Sequence, residues 1–346
     1  MLPSDVANRA RWRGEAGFFE IWFLVVFAPA LRRAWWVRYT TFAPAPGRPG
    51  APRATVWAAA FDAVAREPAI AVKDIRPIAA YDAGGRDGFR IHIGDAELAN
   101  GACRGAVAGG GHAIAWDLRF APAEREARRA PWLLHQLPLP TRVAHANSEI
   151  ACTGRVTVDG VSSELEGAPA VQKHIWGTRR VEELFWLYCG AFEGDPLARL
   201  EATSVRLSRR IGGGPETPHL TTLWARTAEG EVDACGLPAL FGNRVAVTAP
   251  ERIEFRARSA TREARATAWC DPRTLAGWVY RDPQGWDVHV AQSDLASCTL
   301  DVRRRAHPLA PWGRSRRLEC REAAALEFHA PEPLPGVRYV GWDATA

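Results

Sequence analysis

Lysine is nearly missing from this chain of 346 residues: only Lys73 and Lys173 stand beside 42 arginines. Methionine occurs once, and tyrosine five times against fifteen tryptophans. With alanine so abundant, the arginine excess reads as the mark of a GC-rich genome rather than of guanidinium chemistry. The seven cysteines, at 103, 152, 189, 235, 270, 298 and 320, include no C-x-x-C pair and no zinc-finger spacing. An odd count without a secretory signal points to reduced, buried thiols. Long apolar runs are also lacking. The longest, residues 17–31, falls short of the roughly 20 residues a bilayer span needs, and Glu20 interrupts it. It is read as a strand, and the chain as cytoplasmic. No glycine fingerprint follows a strand: the triple glycines at 109–111 and 212–214 lack the Lys-Ser/Thr of a phosphate loop and the spacing of a dinucleotide turn. There is no G-x-S-x-G and no H-E-x-x-H, and the nine histidines are scattered. No metal and no cofactor are expected.

What is present suits a folded, β-rich protein. An apolar fraction of 47% provides a core, and 24% charged residues is ordinary, which argues against disorder, a collagen-like fibre or a polytopic membrane protein. Much of the net charge of +5 can be assigned to residues 303–317, which hold six arginines and no acid. With no aromatic ladder or nucleic-acid motif beside it, this stretch reads as a solvated loop, and nucleic acid is not expected as a partner. Long amphipathic helices are scarce. Short apolar runs recur about every ten residues between turn signals, among them 18–27, 35–42, 55–64, 112–120, 184–192, 220–228, 252–259 and 323–330. That is the pattern of antiparallel sandwiches or barrels. Residues 251–271 read as a hairpin turning at Ser259–Arg262, 42–54 as a Pro/Gly-rich loop, and 122–131 as a short helix or extended loop. The glycines within 208–219 suggest a domain boundary, giving halves 1–210 and 211–346, each large enough for a barrel of about eight strands.

The densest group of unusual residues is Gln172-Lys173-His174-Ile175-Trp176-Gly177, followed by the run from Glu182 to Cys189. If 172–176 is extended, Gln172, His174 and Trp176 share a face. Trp186 and Tyr188 do so on the next strand, Glu201 and Thr203 on another, and Glu20 and Trp22 near the N-terminus. Aromatic side chains also fill small barrels as solid cores, and Glu20 could instead face outward at a strand edge. The polar company favours a cavity, because burying His, Gln and Glu without partners costs several kcal/mol.

The stretch 167–192, with QKHIWG and then FWLYCGAF, resembles the tocopherol cyclase, carotenoid 1,2-hydratase (hydroxyneurosporene synthase) and AttH-like group, which includes fungal Diels–Alderases of decalin biosynthesis. The F-E-I-W-F of 19–23, the W-V-R-Y-T of 36–40 and the WDLRF of 116–120 fit the same resemblance. It covers residues 14–210 well, and the second half by general strand pattern. It implies an all-β chain of two consecutive lipocalin-like (calycin) antiparallel barrels that handles a hydrophobic isoprenoid, polyene or polyketide. The H-x-W pair of the hydratases' proposed site matches His174 and Trp176, and the aromatic position on the next strand matches Trp186. Two departures stand out: Tyr188-Cys189-Gly190 replaces a His/Gln-Cys-Asn, and K-H-I-W replaces an acidic D-x-E-W.

Three activities fit these residues. In the first, an alkene is cyclised or hydrated without cofactor through a carbocation. Glu20 or Glu201 would be the proton donor, His174 the orienting partner or base, and the indoles of Trp22, Trp176 and Trp186 would face the cation. In the second, a pericyclase folds a polyene while Gln172, Lys173 or Tyr188 polarises a carbonyl. In the third, a lipid or pigment is bound without chemistry. In each the partner is a hydrophobic small molecule, with room for transient contact at a membrane surface. Cyclisation or hydration is the favoured reading, and it requires Glu20, Trp22, His174, Trp176 and Trp186 to converge on one hollow.

Overall fold

The computed structural model describes residues 2–84, 88–206 and 217–339. Apart from two six-residue helices and four 3-10 turns, the described elements are strands, gathered into two antiparallel sheets. The first holds β1 (Phe18–Ala28), β2 (Arg33–Ala43), β3 (Arg53–Asp62), β4 (Ile70–Pro77), β5 (Tyr81–Asp82), β6 (Arg90–Ile93), β7 (Ala96–Ala99), β8 (Ala102–Gly109), β9 (His112–Phe120), β10 (Thr141–Val158) and β11 (Val161–Gly177). The second holds β12 (Glu183–Cys189), β13 (Arg199–Arg206), β14 (Leu220–Thr227), β15 (Gly230–Ala234), β16 (Arg244–Thr248), β17 (Arg252–Arg258), β18 (Arg262–Trp269), β19 (Ala276–Arg281), β20 (Asp287–Arg304) and β21 (Arg316–Ala330). The fold is all-β, two consecutive lipocalin-like antiparallel barrels.

Both sheets are wound alike. The opening strand lies between its successor and the last strand: β1 between β2 and β11, β12 between β13 and β21. The first sheet curls until β4 packs on β8, and the second until β14 meets β17. No repeat is visible in the sequence, yet the two topologies correspond. The chain passes from one sheet to the other at residues 178–182. The boundary expected within 208–219 falls between β13 and β14 of the second sheet, and its residues 208–216 lie outside the described ones.

β1 shows why its sequence reads as an unbroken apolar run. Its even positions Trp22, Leu24 and Val26 enter the core of the first barrel. Its odd positions Phe19, Ile21, Phe23, Val25 and Phe27 enter a second core between the barrels. A strand covered on both faces loses the apolar/polar alternation of a half-exposed one. In the core between barrels Trp36 and Trp57 pack on Trp278, with ring centroids 5.2 and 5.4 Å apart. The second barrel's interior is lined by small and branched residues such as Leu187, Leu200, Ala266 and Leu326.

The hairpin expected at 251–271 is β17–β18, closed by the Ser259 N–H donating to the Arg262 carbonyl at 2.7 Å. Residues 122–131 form an extended connection that touches β10 through an Ala127–His145 bridge. All seven cysteines are free thiols, and all but Cys270 are buried. The arginines of 303–317 make internal contacts: Arg303 pairs with Glu263 at 2.9 Å, Arg316 with Asp195 at 2.9 Å, and the guanidinium groups of Arg258, Arg303 and Arg305 gather over the Trp312 ring. Among the described residues no helix is long and apolar enough to cross a membrane.

Candidate functional site at the mouth of the first barrel

β11 lies against β1 with Glu20 opposite Trp176 and Trp22 opposite His174. In an antiparallel pair, residues directly opposite point to the same face, so these four side chains meet inside the end of the first barrel. Glu20, Trp22 and His174 are all fully buried. The His174 ring stacks on Trp22, with centroids 4.7 Å apart and planes 8° from parallel, and lies 4.6 Å from the Trp176 ring. Nε2 of His174 is 2.8 Å from Glu20 Oε1, and Nδ1 is 2.8 Å from the carbonyl oxygen of Ala7. A carbonyl only accepts, so Nδ1 carries a proton, and a further proton is shared between Nε2 and the carboxylate.

The N-terminal segment closes this end. Helix α1 (Pro3–Asn8) and residues 9–12 lie across the mouth. Glu20 Oε1 accepts the Arg11 backbone N–H at 2.6 Å, and Oε2 accepts that of Trp12 at 3.0 Å. Asn8 and Gln172 exchange amide hydrogen bonds of 3.0 and 2.8 Å, and Asn147 donates to Gln172 Oε1 at 2.6 Å. Around this polar floor stand further aromatic rings: Phe89 at 5.9 Å and Tyr81 at 6.5 Å from Trp22, and Trp12 at 6.2 Å from Tyr81. Among the described residues the buried Tyr81 hydroxyl has no hydrogen-bond partner, and burial, then the charge of Glu20, push its pKa upward. Asn8, Trp12, Tyr81, Phe89 and Asn147 were not singled out by sequence. Their one local signal is Pro-Ser-Asp at 3–5, a helix start with proline in its first turn and an early acid.

Glu20, Trp22, Gln172, His174 and Trp176 therefore come together, but the expected single hollow does not form. The space they would line is filled by residues 7–12. Trp186, Tyr188, Lys173 and Glu201 lie elsewhere, in the seam between barrels. Alternation along β11 turns Lys173 away from His174, and β12 belongs to the second sheet with its Trp186 and Tyr188 facing the first. Lys173 Nζ bonds Glu201 Oε1 and sits 4.3 Å from the Trp186 ring centre. His145 Nδ1 approaches Glu201 at 3.2 Å, and Arg129 Nε at 3.4 Å from a position over the Trp224 ring. Tyr188 donates to the Ser148 carbonyl at 2.8 Å, joining the barrels. Burial would raise the Glu201 carboxyl, but Lys173, His145 and Arg129 overcome it and hold the group well below the usual carboxylate range. Glu201 is thus an ionised anchor, which removes it as the proton donor read from sequence.

A substrate-sized opening lies on the flank of the first barrel, where β4 approaches β8 and β9. It is a groove of about 440 Å³ bordered by Asp74, Arg76, Val107, Ile114, Thr157 and Gly160. Asp74 and Arg76, both on β4, pair with each other at 2.6 Å along one border of it. Among the described residues no three histidine, cysteine or acidic side chains are placed to hold a metal ion.

No family model matches the chain, and no curated protein matches it in sequence. Solved structures do resemble it. A putative AttH from Nitrosomonas europaea is 12% identical and superposes with a TM-score of 0.50 over 89% of this chain and 92% of that one. Kievitone hydratase from Nectria haematococca is 9% identical, with a TM-score of 0.49 over 95% and 90%. CghA is 9% identical, with a TM-score of 0.48 over 94% of each chain. The likeness to the AttH structure is one of fold: the two-barrel arrangement is shared.

Proposed function

We propose that this chain is a cofactor-independent enzyme that protonates an alkene in a hydrophobic isoprenoid or polyene and so cyclises or hydrates it, with Glu20 and His174 as its acid–base pair. The observation that supports this reading is the 2.8 Å contact of the two side chains inside a shell of Trp22, Trp176, Phe89 and Tyr81 rings. With residues 3–12 in place, Glu20 accepts three N–H groups and is not an acid in waiting. Withdrawal of the segment removes the Arg11 and Trp12 donors and leaves the carboxyl beside His174 among the aromatic rings, free to deliver a proton. The proton then passes from the Glu20 carboxyl to an alkene carbon. The resulting cation faces the indoles of Trp22 and Trp176, each worth up to about 2 kcal/mol when desolvated. Loss of a proton to His174, or addition of water with its proton returning to Glu20, completes cyclisation or hydration.

The experiment is turnover of linear carotenoid, prenylated quinol and polyene substrates in D2O, read by mass spectrometry. Wild-type protein is expected to give product carrying one deuterium, and Glu20→Gln to bind substrate without turning it over. Full turnover by Glu20→Gln rejects the acid, and product without deuterium assigns a pericyclic reaction instead. A second reading, a carrier without chemistry, is favoured by the flank groove of about 440 Å³, whose one bordering acid is already paired. It predicts bound lipid and no product.

A further inference from the structure

Between the barrels, apart from the Glu20–His174 pair, is a small, partly open pocket of about 10 Å³, the space of a single small sphere. Its lining residues include four arginines, Arg38, Arg53, Arg180 and Arg281, with Trp57 and Tyr280, and among the described residues no acid. Arg38 is 2% exposed. Its Nε donates to Thr40 at 2.9 Å, and its guanidinium carbon stands 3.9 Å from the centre of the Tyr280 ring. Among the described residues three polar atoms of the lining lack a hydrogen bond of good geometry: Arg38 Nη2, Trp57 Nε1 and the Tyr280 hydroxyl, the last within reach of the Arg38 guanidinium. All three can donate. Nearby acids answer part of the positive charge from outside the cavity: Asp287 pairs with Arg281 at 2.6 Å, and Glu327 lies within electrostatic reach of Arg38.

A buried donor left unpaired costs free energy, and three on the lining of one cavity call for a common acceptor. A water molecule accepts but must also place two protons. An anion only accepts, and it gains from the guanidinium field in surroundings of low dielectric constant. We propose that this cavity is a binding site for a halide-sized monovalent anion, held by Arg38 and Trp57 of the first barrel and Tyr280 of the second. Because its ligands come from both barrels, the anion fastens one barrel to the other. An anion at a hundredfold its Kd then raises the folding constant about a hundredfold.

Two measurements test the site on the full chain. Crystals soaked in sodium bromide are expected to show an anomalous peak bounded by Arg38 Nη2, Trp57 Nε1 and the Tyr280 hydroxyl. An ordered oxygen there with no anomalous signal overturns the proposal. In solution, Tm is expected to be higher in bromide or chloride than in gluconate at equal ionic strength. Trp57→Phe and Tyr280→Phe, which keep a ring and remove one donor each, are expected to diminish that difference singly and abolish it together. A halide effect that survives in the double variant, or equal Tm in all three salts for wild type, overturns it as well.

Discussion

The indole of Trp22 donates its N–H to the carbonyl of Asn8 across 2.9 Å, so a residue in the core of the first barrel holds the segment that closes it. The same segment supplies the Ala7 carbonyl to His174, the Asn8 amide to Gln172, and the Arg11 and Trp12 N–H groups to Glu20. None of residues 2–12 belongs to a strand. Removing residues 1–12 is therefore expected to leave both sheets folded. With each lost hydrogen bond worth about 1 kcal/mol net, the truncated chain is expected to lose several kcal/mol of stability. It is also expected to bind a naphthylamine dye that the full chain excludes. Fluorescence titration checks this, and equal dye uptake by the two chains means that the mouth stays shut without its plug.

Lys173 and Glu201 make a different kind of contact, a charge pair sealed between barrels. Removing Glu201 strands the Lys173 charge, whereas removing Lys173 leaves Glu201 facing Arg129 and His145. Glu201→Leu is expected to cost about 3–5 kcal/mol, Lys173→Met less, and the double substitution less than Glu201→Leu alone. Urea unfolding of the four proteins measures this cycle. The pH dependence has a definite sign. Glu201 is held below its ordinary value of 4.5, so its contribution is complete above that pH and is lost as pH falls through the folded value. Burial pushes His145 below its ordinary 6.5 against the pull of Glu201. Below 6.5 the unfolded chain therefore takes up the proton first, and stability again falls with acidification. Glu201→Gln is expected to flatten the lower of these two declines.

Gly154 sits where β10 slips register against β11, between Cys152 and Gly154. Its φ is +140°, and a Cβ added there would stand 2.1 Å from the Asp117 carbonyl oxygen on β9. That oxygen belongs to the sheet ladder and cannot yield cheaply. Gly154→Ala is expected to destabilise by about 3 kcal/mol, from the strained φ together with the clash. Gly110, also at positive φ but with open space around it, serves as the control: Gly110→Ala is expected to cost about 1 kcal/mol. Equal unfolding midpoints for the two variants would contradict the role assigned to the close approach.

Much of the architecture was legible because a strand writes its burial into a two-residue period. Glu20, Trp22, Leu24 and Val26 read as one face, and that face lines the first barrel. What the period does not carry is which neighbour a doubly covered strand turns each face towards. Trp186 and Tyr188 read as partners of His174, but they sit on the opposing barrel and look across the seam. Long strands were also cut short. β10 and β20 run for 18 residues each, and register shifts at 144–150 and 293–298 break their alternation where the sequence gives no warning. The plug was missed for a related reason: residues 3–12 meet the barrel through backbone groups and amides, which leave no apolar stripe to read.

Asp294 lies within one of those register shifts and is tied through Gln292 to Trp278. Gln292 takes the Trp278 indole N–H at 3.0 Å and passes its own amide N–H to Asp294 Oδ2 at 2.9 Å, while Oδ1 has no partner among the described residues. Burial, and after it the charge of Glu327, push this carboxyl well above its ordinary 3.8. The folded chain therefore keeps a proton that the unfolded chain gives up. The stability tied to Asp294 is complete below 3.8 and is lost as pH rises towards the folded value, opposite in sign to Glu201. Asp294→Asn keeps an acceptor for Gln292 and leaves one atom unpartnered as before, but it has nothing to ionise. Its stability is expected to match wild type near about pH 4 and to exceed it increasingly above that, by about 1.4 kcal/mol per pH unit across the window. Urea titrations from about pH 4 to about pH 8 compare the two directly. Parallel curves would mean that Asp294 is ionised in the folded chain, and that the seam around Trp278 is not the dry, low-dielectric wall its packing describes.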